Sequence, residues 1–453
     1  MNRKILKLAT PSILANITVP LVGMVDLAIA GRLGDAASIG GIAIGTMLFD
    51  LLYWNMGFLR VGTGGYAAQA YGRRDFKDSI KVLVQAVGTA LLAALFILAI
   101  QYFYIIAAFQ IVECSPDVER MAREYFFIRI WAAPATLSLF AFKGWFIGMQ
   151  NTISPMVTDI VVNVLNLVLS ILFAITLGMG VSGIALGTVA AQYVGLFTAI
   201  TLLTIYYRKL FHYINLKASL KIREMKNFFI LNGNLFIRSA SLLLVYSGFT
   251  SLSARYGDEL LAVSTIMMKL MLLYSYFVDG FAYAGEALTG RYIGARDLLS
   301  LKKAIKGLFF WTFIVAAVST AAYMFAGEPI IRLLTNNHSV IEASEPFLPW
   351  LLIIPLISCI AFMWDGIYIG ATAASAIRNV MLISAVSFFC NVLSGRGGNR
   401  NSGPLPCLCN ASGSKKSSYD SLCKKRGYGK NSCNLINFIR MPFNIWSLRH
   451  PSL

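Results

Sequence analysis

Eleven apolar runs of roughly twenty residues divide this chain, at 10–30, 38–60, 81–107, 125–147, 154–176, 181–206, 228–252, 260–285, 305–326, 346–369 and 376–394. Each is long enough to cross about 30 Å of hydrocarbon as an α-helix rising about 1.5 Å per residue. Inside lipid a backbone must satisfy its own hydrogen bonds, which leaves helices or closed barrels. Unbroken runs, as opposed to short alternating strands, select helices. With 57% hydrophobic and 13% charged residues, the chain reads as an all-α polytopic membrane protein.

The formal charge of +18 does not point to nucleic acid, because the Lys and Arg gather in the segments between apolar runs. The N-terminus (Arg3, Lys4, Lys7), Arg73–Lys81, Arg208–Lys226 and Arg291–Lys306 fall on one side if every run crosses. The positive-inside rule makes that side cytoplasmic, so the expectation is a multi-pass protein of the inner or plasma membrane with a cytoplasmic N-terminus. The basic flank and Ala28-Ile29-Ala30 give the first run some likeness to a signal peptide, but Pro11, Pro20 and Asp26 inside it make it a first span. Three His and no HExxH or GxxxxGK[ST] pattern leave metal hydrolysis and built-in ATP hydrolysis without their usual residues. Cys407 and Cys409 are followed by Cys423 and Cys433 at spacings unlike a common zinc set, so no metal or cofactor is expected.

The chain also repeats itself. Ala30-Gly31-Arg32-Leu33-Gly34-Asp35 recurs as Ser253-Ala254-Arg255-Tyr256-Gly257-Asp258, and Gly72-Arg73-Arg74-Asp75 as Gly294-Ala295-Arg296-Asp297, at nearly one offset. Six spans per copy bring both copies in from the same side, so the expected architecture is two six-helix lobes in a parallel pseudo-twofold repeat. The first lobe is 1–215 (helices 1–6) and the second 216–394 (helices 7–11). A twelfth helix is missing from the pattern. Residues 395–453 form a basic Cys/Ser/Gly-rich tail, expected to be disordered or frameshift-derived.

Ionisable groups inside spans are costly and usually face a polar interior. Asp26 shares the first span with Pro11 and Pro20, which remove backbone hydrogen bonds and offer places to bend. A carboxylate there demands water, a cation or a donor when charged and tolerates an apolar wall when protonated, so its charge can bias two conformations. In the fifth span Asn163, Asn166 and Ser170 line one helical face with Asp159, and Thr188 of the sixth span adds an oxygen. Together with Asp26 these oxygens suit a proton or sodium ion. In the other lobe Asp365, Asp279 and Glu286 are possible coupling acids, Asp365 standing at the repeat position of Lys143 with Arg378 or Lys269 as a possible basic partner. Arg60 and Glu286 lie near run ends, where snorkelling is the simpler account.

These residues resemble the multidrug and toxic compound extrusion (MATE) transporters, in their DNA-damage-inducible, DinF-like branch. The likeness covers about residues 5–390. Pro11 and Asp26 with Ala30–Gly34, Gly148-Met149-Gln150-Asn151-Thr152 with Pro155, Asn163-Val164-Leu165-Asn166, Asp279–Glu286 and Gly294–Asp297 carry it. The resemblance implies twelve helices in two lobes about a V-shaped cavity and no enzyme activity. It implies export of cationic or amphipathic compounds in exchange for protons or sodium. Asp26 then matches the first-helix coupling acid, Asn166 and Thr188 its neighbours, and Asp365 an acid of the second lobe. Ser170 stands where the family often has a further acid, which favours protons over sodium.

The functional expectation is therefore a secondary efflux antiporter that works as a monomer among membrane lipids, with a small molecule as its partner. A flippase for lipid-linked precursors would want a strongly cationic cavity, which Arg129, Lys143, Arg238 and Lys269 keep open. A membrane-embedded enzyme would need a convergent nucleophile, base or metal that this His-poor chain does not display.

Overall fold

The computed structural model describes residues 1–32, 36–254, 257–334 and 337–394. The tail 395–453 lies outside the described residues, as do Leu33–Asp35 and Arg255–Tyr256 of the repeated motif.

No strand occurs among the described residues. The first part of the chain forms α1 (Asn2–Arg32), α2 (Ala36–Met56), α3 (Phe58–Arg73), α4 (Phe76–Phe109), α5 (Pro116–Arg129), α6 (Ala133–Gly148), α7 (Ile153–Ile171) and α8 (Gly180–Tyr207). A short α9 (Leu216–Ser219) leads into α10 (Ile222–Ala254), α11 (Asp258–Gly294), α12 (Leu298–Leu334), α13 (His338–Ser344), α14 (Leu348–Gly370) and α15 (Ala374–Ser394). Nine stretches among the described residues are long and apolar enough to cross a membrane. Helices α1 and α15, of 31 and 21 residues, occupy the other two expected runs. α1 continues through Pro11 and Pro20 as a single helix.

Several helices run well past the lengths read from hydropathy. α11 and α12, at 37 residues each, extend about 55 Å, far beyond the hydrocarbon thickness. The run expected to end at residue 60 breaks only at Gly57 and resumes as α3 to Arg73. Arg60 thus sits inside a helical stack and not at a membrane surface.

The internal repeat is written in the backbone. Among non-glycine residues described, Arg74 and Arg296 share a left-handed conformation (φ 59° and 57°), as do Gln150 and Thr372 (φ 62° and 54°). Each pair is 222 residues apart, and such residues are uncommon enough for the match to carry weight. Asp75 and Asp297 follow the first pair, and each carboxylate accepts a backbone N–H three residues on, from Asp78 at 3.0 Å and Ser300 at 2.9 Å. Outside the membrane, these bonds from Ser300 hold the Asp297 carboxyl below its ordinary range.

Close helix contacts repeat too. A Cβ on Gly144 would strike the Arg60 carbonyl, and one on Gly366 would strike that of Ala282, again 222 residues on. Gly72 lies against the Arg291 carbonyl while Gly294 lies against that of Gln69, so these partners are exchanged and the pseudo-twofold axis passes between α3 and α11. Ala67, Ala68 and Ala70 of α3 and Ala284 and Ala287 of α11 are fully buried, small side chains that let backbones approach. The pairs α3–α6, α4–α6 and α1–α7 recur as α11–α14, α12–α14 and α10–α15. The extensive α7–α8 pair has no counterpart among the described residues. Large apolar side chains such as Phe96, Phe103, Phe197 and Phe325 are exposed, as lipid-facing positions require.

Candidate functional site

The polar residues of the first half meet where α1, α7 and α8 pack. The Thr152 hydroxyl donates to the Lys7 carbonyl at 3.4 Å, and the Asn163 amide donates to the Thr18 hydroxyl at 2.6 Å. Both pairs differ by 145 residues, so α1 and α7 run parallel in one register. At about 1.5 Å per residue that register sets Asp26 level with Ile171, beside Ser170 and about a turn beyond Asn166.

Asn166 donates to the Thr188 hydroxyl at 2.9 Å, and that hydroxyl in turn donates to the Ile184 carbonyl at 3.1 Å. Ser170 is fully buried against Gly187 of α8, where any side chain would collide with its amide and hydroxyl. A π-helical turn at Leu172–Thr176 follows directly; such turns often mark functional positions. Asp26 is 6% exposed. Its Oδ1, the Asn166 side-chain oxygen and the Ser170 hydroxyl oxygen are all buried without a hydrogen-bond partner. The structure thus joins Asn166 to Thr188 and Asn163 to α1, while no hydrogen bond ties Asp26 to any of these four residues. Arg129 of α5 exerts an attractive field on Asp26 but is engaged elsewhere, donating to the Tyr125 hydroxyl at 2.7 Å and lying 4.9 Å over the Phe49 ring.

A cavity of about 1370 Å³ opens among the second-half helices, with Trp54, Gly57, Arg60 and Val61 of the first half on its wall. Asp365, Asp279 and Glu286 all line it, together with Arg60, Arg238 and Lys269 and the aromatic rings of Trp54, Tyr246, Tyr283 and Trp364. Asp365 of α14 is bonded to Arg238 of α10, and not to Arg378 or Lys269; Arg378 instead donates to the Asn234 side chain at 2.7 Å. Glu286 is 1% exposed and forms an ion pair with Arg60 at 3.5 Å. The Arg60 guanidinium lies 4.3 Å over the Tyr283 ring. Snorkelling is therefore the wrong account of Arg60 and Glu286. They meet deep in the stack because α3 continues past the point where hydropathy weakens, and because Gly64 leaves room for the Glu286 carboxylate. Neither carboxylate oxygen has a hydrogen bond.

Glu286 stood among the candidate acids, but its pairing with Arg60 across the halves was missed in the sequence, and the repeat held its signal. Arg60 and Gly64 of α3 correspond to Ala282 and Glu286 of α11, so each copy contributes one charged residue and one small one at the same crossing. Lys143, the repeat mate of Asp365, pairs with Asp159 of α7 at 2.6 Å, which removes Asp159 from the polar stripe that holds Asn163 and Asn166. Among the described residues no cluster of His, Cys, Asp and Glu is placed to hold a metal ion.

The sequence profile of the MatE family matches residues 11–172 and 235–395, one match in each half. DNA damage-inducible protein F of Escherichia coli (strain K12) is 36% identical over 391 residues, 85% of this chain and 84% of that protein. The fold is similar to that of a multidrug resistance MATE family transporter of the MOP superfamily in its outward-facing conformation, with a TM-score of 0.76, 19% identity and coverage of 85% and 86% of the two chains. It is also similar to a Vibrio cholerae MATE transporter in its bent form, with a TM-score of 0.77, 14% identity and coverage of 86% and 88%.

Proposed function

The chain belongs to the MatE family, whose relatives are transporters and not enzymes, and from that premise we propose that it is a secondary efflux antiporter. It exports cationic or amphipathic organic compounds in exchange for protons, with the coupling ion acting at Asp26. It sits in the inner or plasma membrane with its N-terminus cytoplasmic, and its lobes are 1–215 and 216–394.

What supports this reading is the orphaned Asp26 oxygen on α1, with the orphaned Ser170 and Asn166 oxygens on the stretch of α7 that the α1–α7 register sets at a similar height. A buried charged carboxylate without a donor is costly, and protonation or a bound cation removes that cost. Because the cost differs between charge states, the two states of Asp26 favour different packings of α1 on α7 and α8. α1 also packs on α11, so a shift of α1 reaches both halves. Asn163, Asn166, Ser170 and Thr188 line the ion's path, and Pro11 and Pro20 are the positions where α1 yields. In the second half Asp365 and Glu286 are held by Arg238 and Arg60, which leaves Asp279 as the free acid facing the cavity. Equal numbers of acids and bases around that cavity do not favour a lipid-linked polyanion.

Everted membrane vesicles carrying an imposed pH gradient test the reading. Asp26→Asn is expected to abolish uphill movement of a cationic dye, a loss of more than tenfold, at unchanged protein level. Uphill transport at the original rate in that variant would remove Asp26 from the coupling role.

A further inference from the structure

The charges around the second-half cavity cancel, but they do not all cancel in place. Of the six, Arg238 is bonded to Asp365 and Arg60 is paired with Glu286. Asp279 and Lys269 remain, and neither forms an ion pair or hydrogen bond among the described residues. Arg60 and Arg238 act on Asp279 only from a distance, each being engaged by another carboxylate. Asp50 of α2 is within electrostatic reach of Lys269 but does not line the cavity and does not pair with it.

Both free charges stand on α11, and the residues between them follow helical spacing. Lys269, Leu272, Tyr276 and Asp279 recur at three, four and three residues, and all four line the cavity. Along the axis the two charges are about 15 Å apart, with an apolar and aromatic strip between them. Met268 and Met271 border the same strip, adaptable side chains suited to bodies of varied shape. Asp279 is half-buried and Lys269 is exposed in the cavity, neither with a partner among the described residues, so one wall offers a ligand a contact of each sign. A plain hydrophobic cation answers Asp279 and leaves Lys269 to water, whereas an anionic group on the same ligand adds a second contact.

We propose that the cavity binds two-ended zwitterions: amphipathic molecules with a cationic group seated at Asp279, an apolar body over Leu272 and Tyr276, and an anionic group seated at Lys269. The efflux reading above supplies the direction in which such a molecule would be carried; the binding preference itself stands on the placement of these four residues.

Equilibrium binding to the full chain in lipid nanodiscs, corrected with empty discs, separates the possibilities. The probes are a dodecyl chain with trimethylammonium at one end and carboxylate at the other, dodecyltrimethylammonium, and dodecanoate. The zwitterion is expected to bind about threefold more tightly than the simple cation, the size of one charge contact open to solvent. Lys269→Met, or Lys269→Gln where the first is not monodisperse, should lower zwitterion affinity to that of the cation and leave the cation unchanged. Asp279→Asn should weaken both. Equal affinity of the cation and the zwitterion, or a zwitterion affinity indifferent to Lys269, overturns the proposal. Binding is read without any ion gradient. A preference that persists where gradient-driven efflux is absent would sink the antiport reading and keep this one, and the converse result would do the reverse.

Discussion

The two halves share a backbone and differ in what they do with charge. Position 143 carries a lysine and its repeat mate 365 an aspartate, yet both end in ion pairs. Lys143 finds Asp159 on α7 within the first half, and Asp365 finds Arg238 on α10 within the second. The partners are not repeat mates of each other, since the position matching Asp159 is Met381 and the one matching Arg238 is Asn16. Glycines, left-handed turns and caps therefore survive as a matched set, whereas the polar interior has diverged. The first half keeps buried oxygens on Asp26, Asn166 and Ser170 without partners, and the second lines a charged chamber. Backbone approach allows few solutions, because a carbonyl in the place of a Cβ cannot give way. A buried charge needs only some partner within reach, and neighbouring helices offer many.

The sharpest way to break this comparison is at the shared backbone contacts. Gly148→Leu and Gly370→Leu should be equally damaging, since the one drives a side chain into the Gly64 carbonyl and the other into that of Glu286. Each is expected to cost more than about 3 kcal/mol, the upper end of ordinary overpacking, and to leave no monodisperse protein on size exclusion. A tolerated leucine at either position would refute the equivalence of the two crossings.

Charges should behave asymmetrically by comparison. Lys143→Met strands the Asp159 carboxylate in a largely apolar setting and should cost about 3–5 kcal/mol of stability, most of it recovered when Asp159→Leu is added. The thermal unfolding midpoints of the single and double variants measure this. A double variant as unstable as the single would mean that Asp159 is satisfied by some other group.

The smallest expected effect is at the two caps. Asp75→Ala and Asp297→Ala should each cost about 1 kcal/mol, seen as faster amide exchange in the first turns of α4 and α12. Ser300 holds the Asp297 carboxyl below its ordinary value, so the charged form favours the folded turn. Its contribution is complete at neutral pH and disappears as pH falls through the carboxylate range. Exchange at α12 that ignored acidification would show that the Asp297 bond contributes nothing.

Much of the candidate site was legible beforehand, and each miss has a physical cause. Asp26, Asn163, Asn166, Ser170 and Thr188 stood out because a polar atom in an apolar run is rare and because three of them follow one helical face. Arg60 and Glu286 were misjudged because hydropathy measures where a run stops being greasy, not where the helix stops. The pairing of Asp365 with Arg238 lay outside any local reading, the two being 127 residues apart on helices that meet only after folding.

By itself the amino-acid order determined that the chain is a bundle of membrane-crossing helices, that it is built from a doubled unit, and which buried acids are candidates for chemistry. Those conclusions follow from periodicity and from the high cost of polar groups in lipid, both properties of a single helix. Only the tertiary structure decided which charge answers which, that Asp279 and Lys269 are left over, and that α1 and α7 run in the register joining Thr18 to Asn163. Pairing depends on the distance between helices, and that distance is set by the small residues at their crossings.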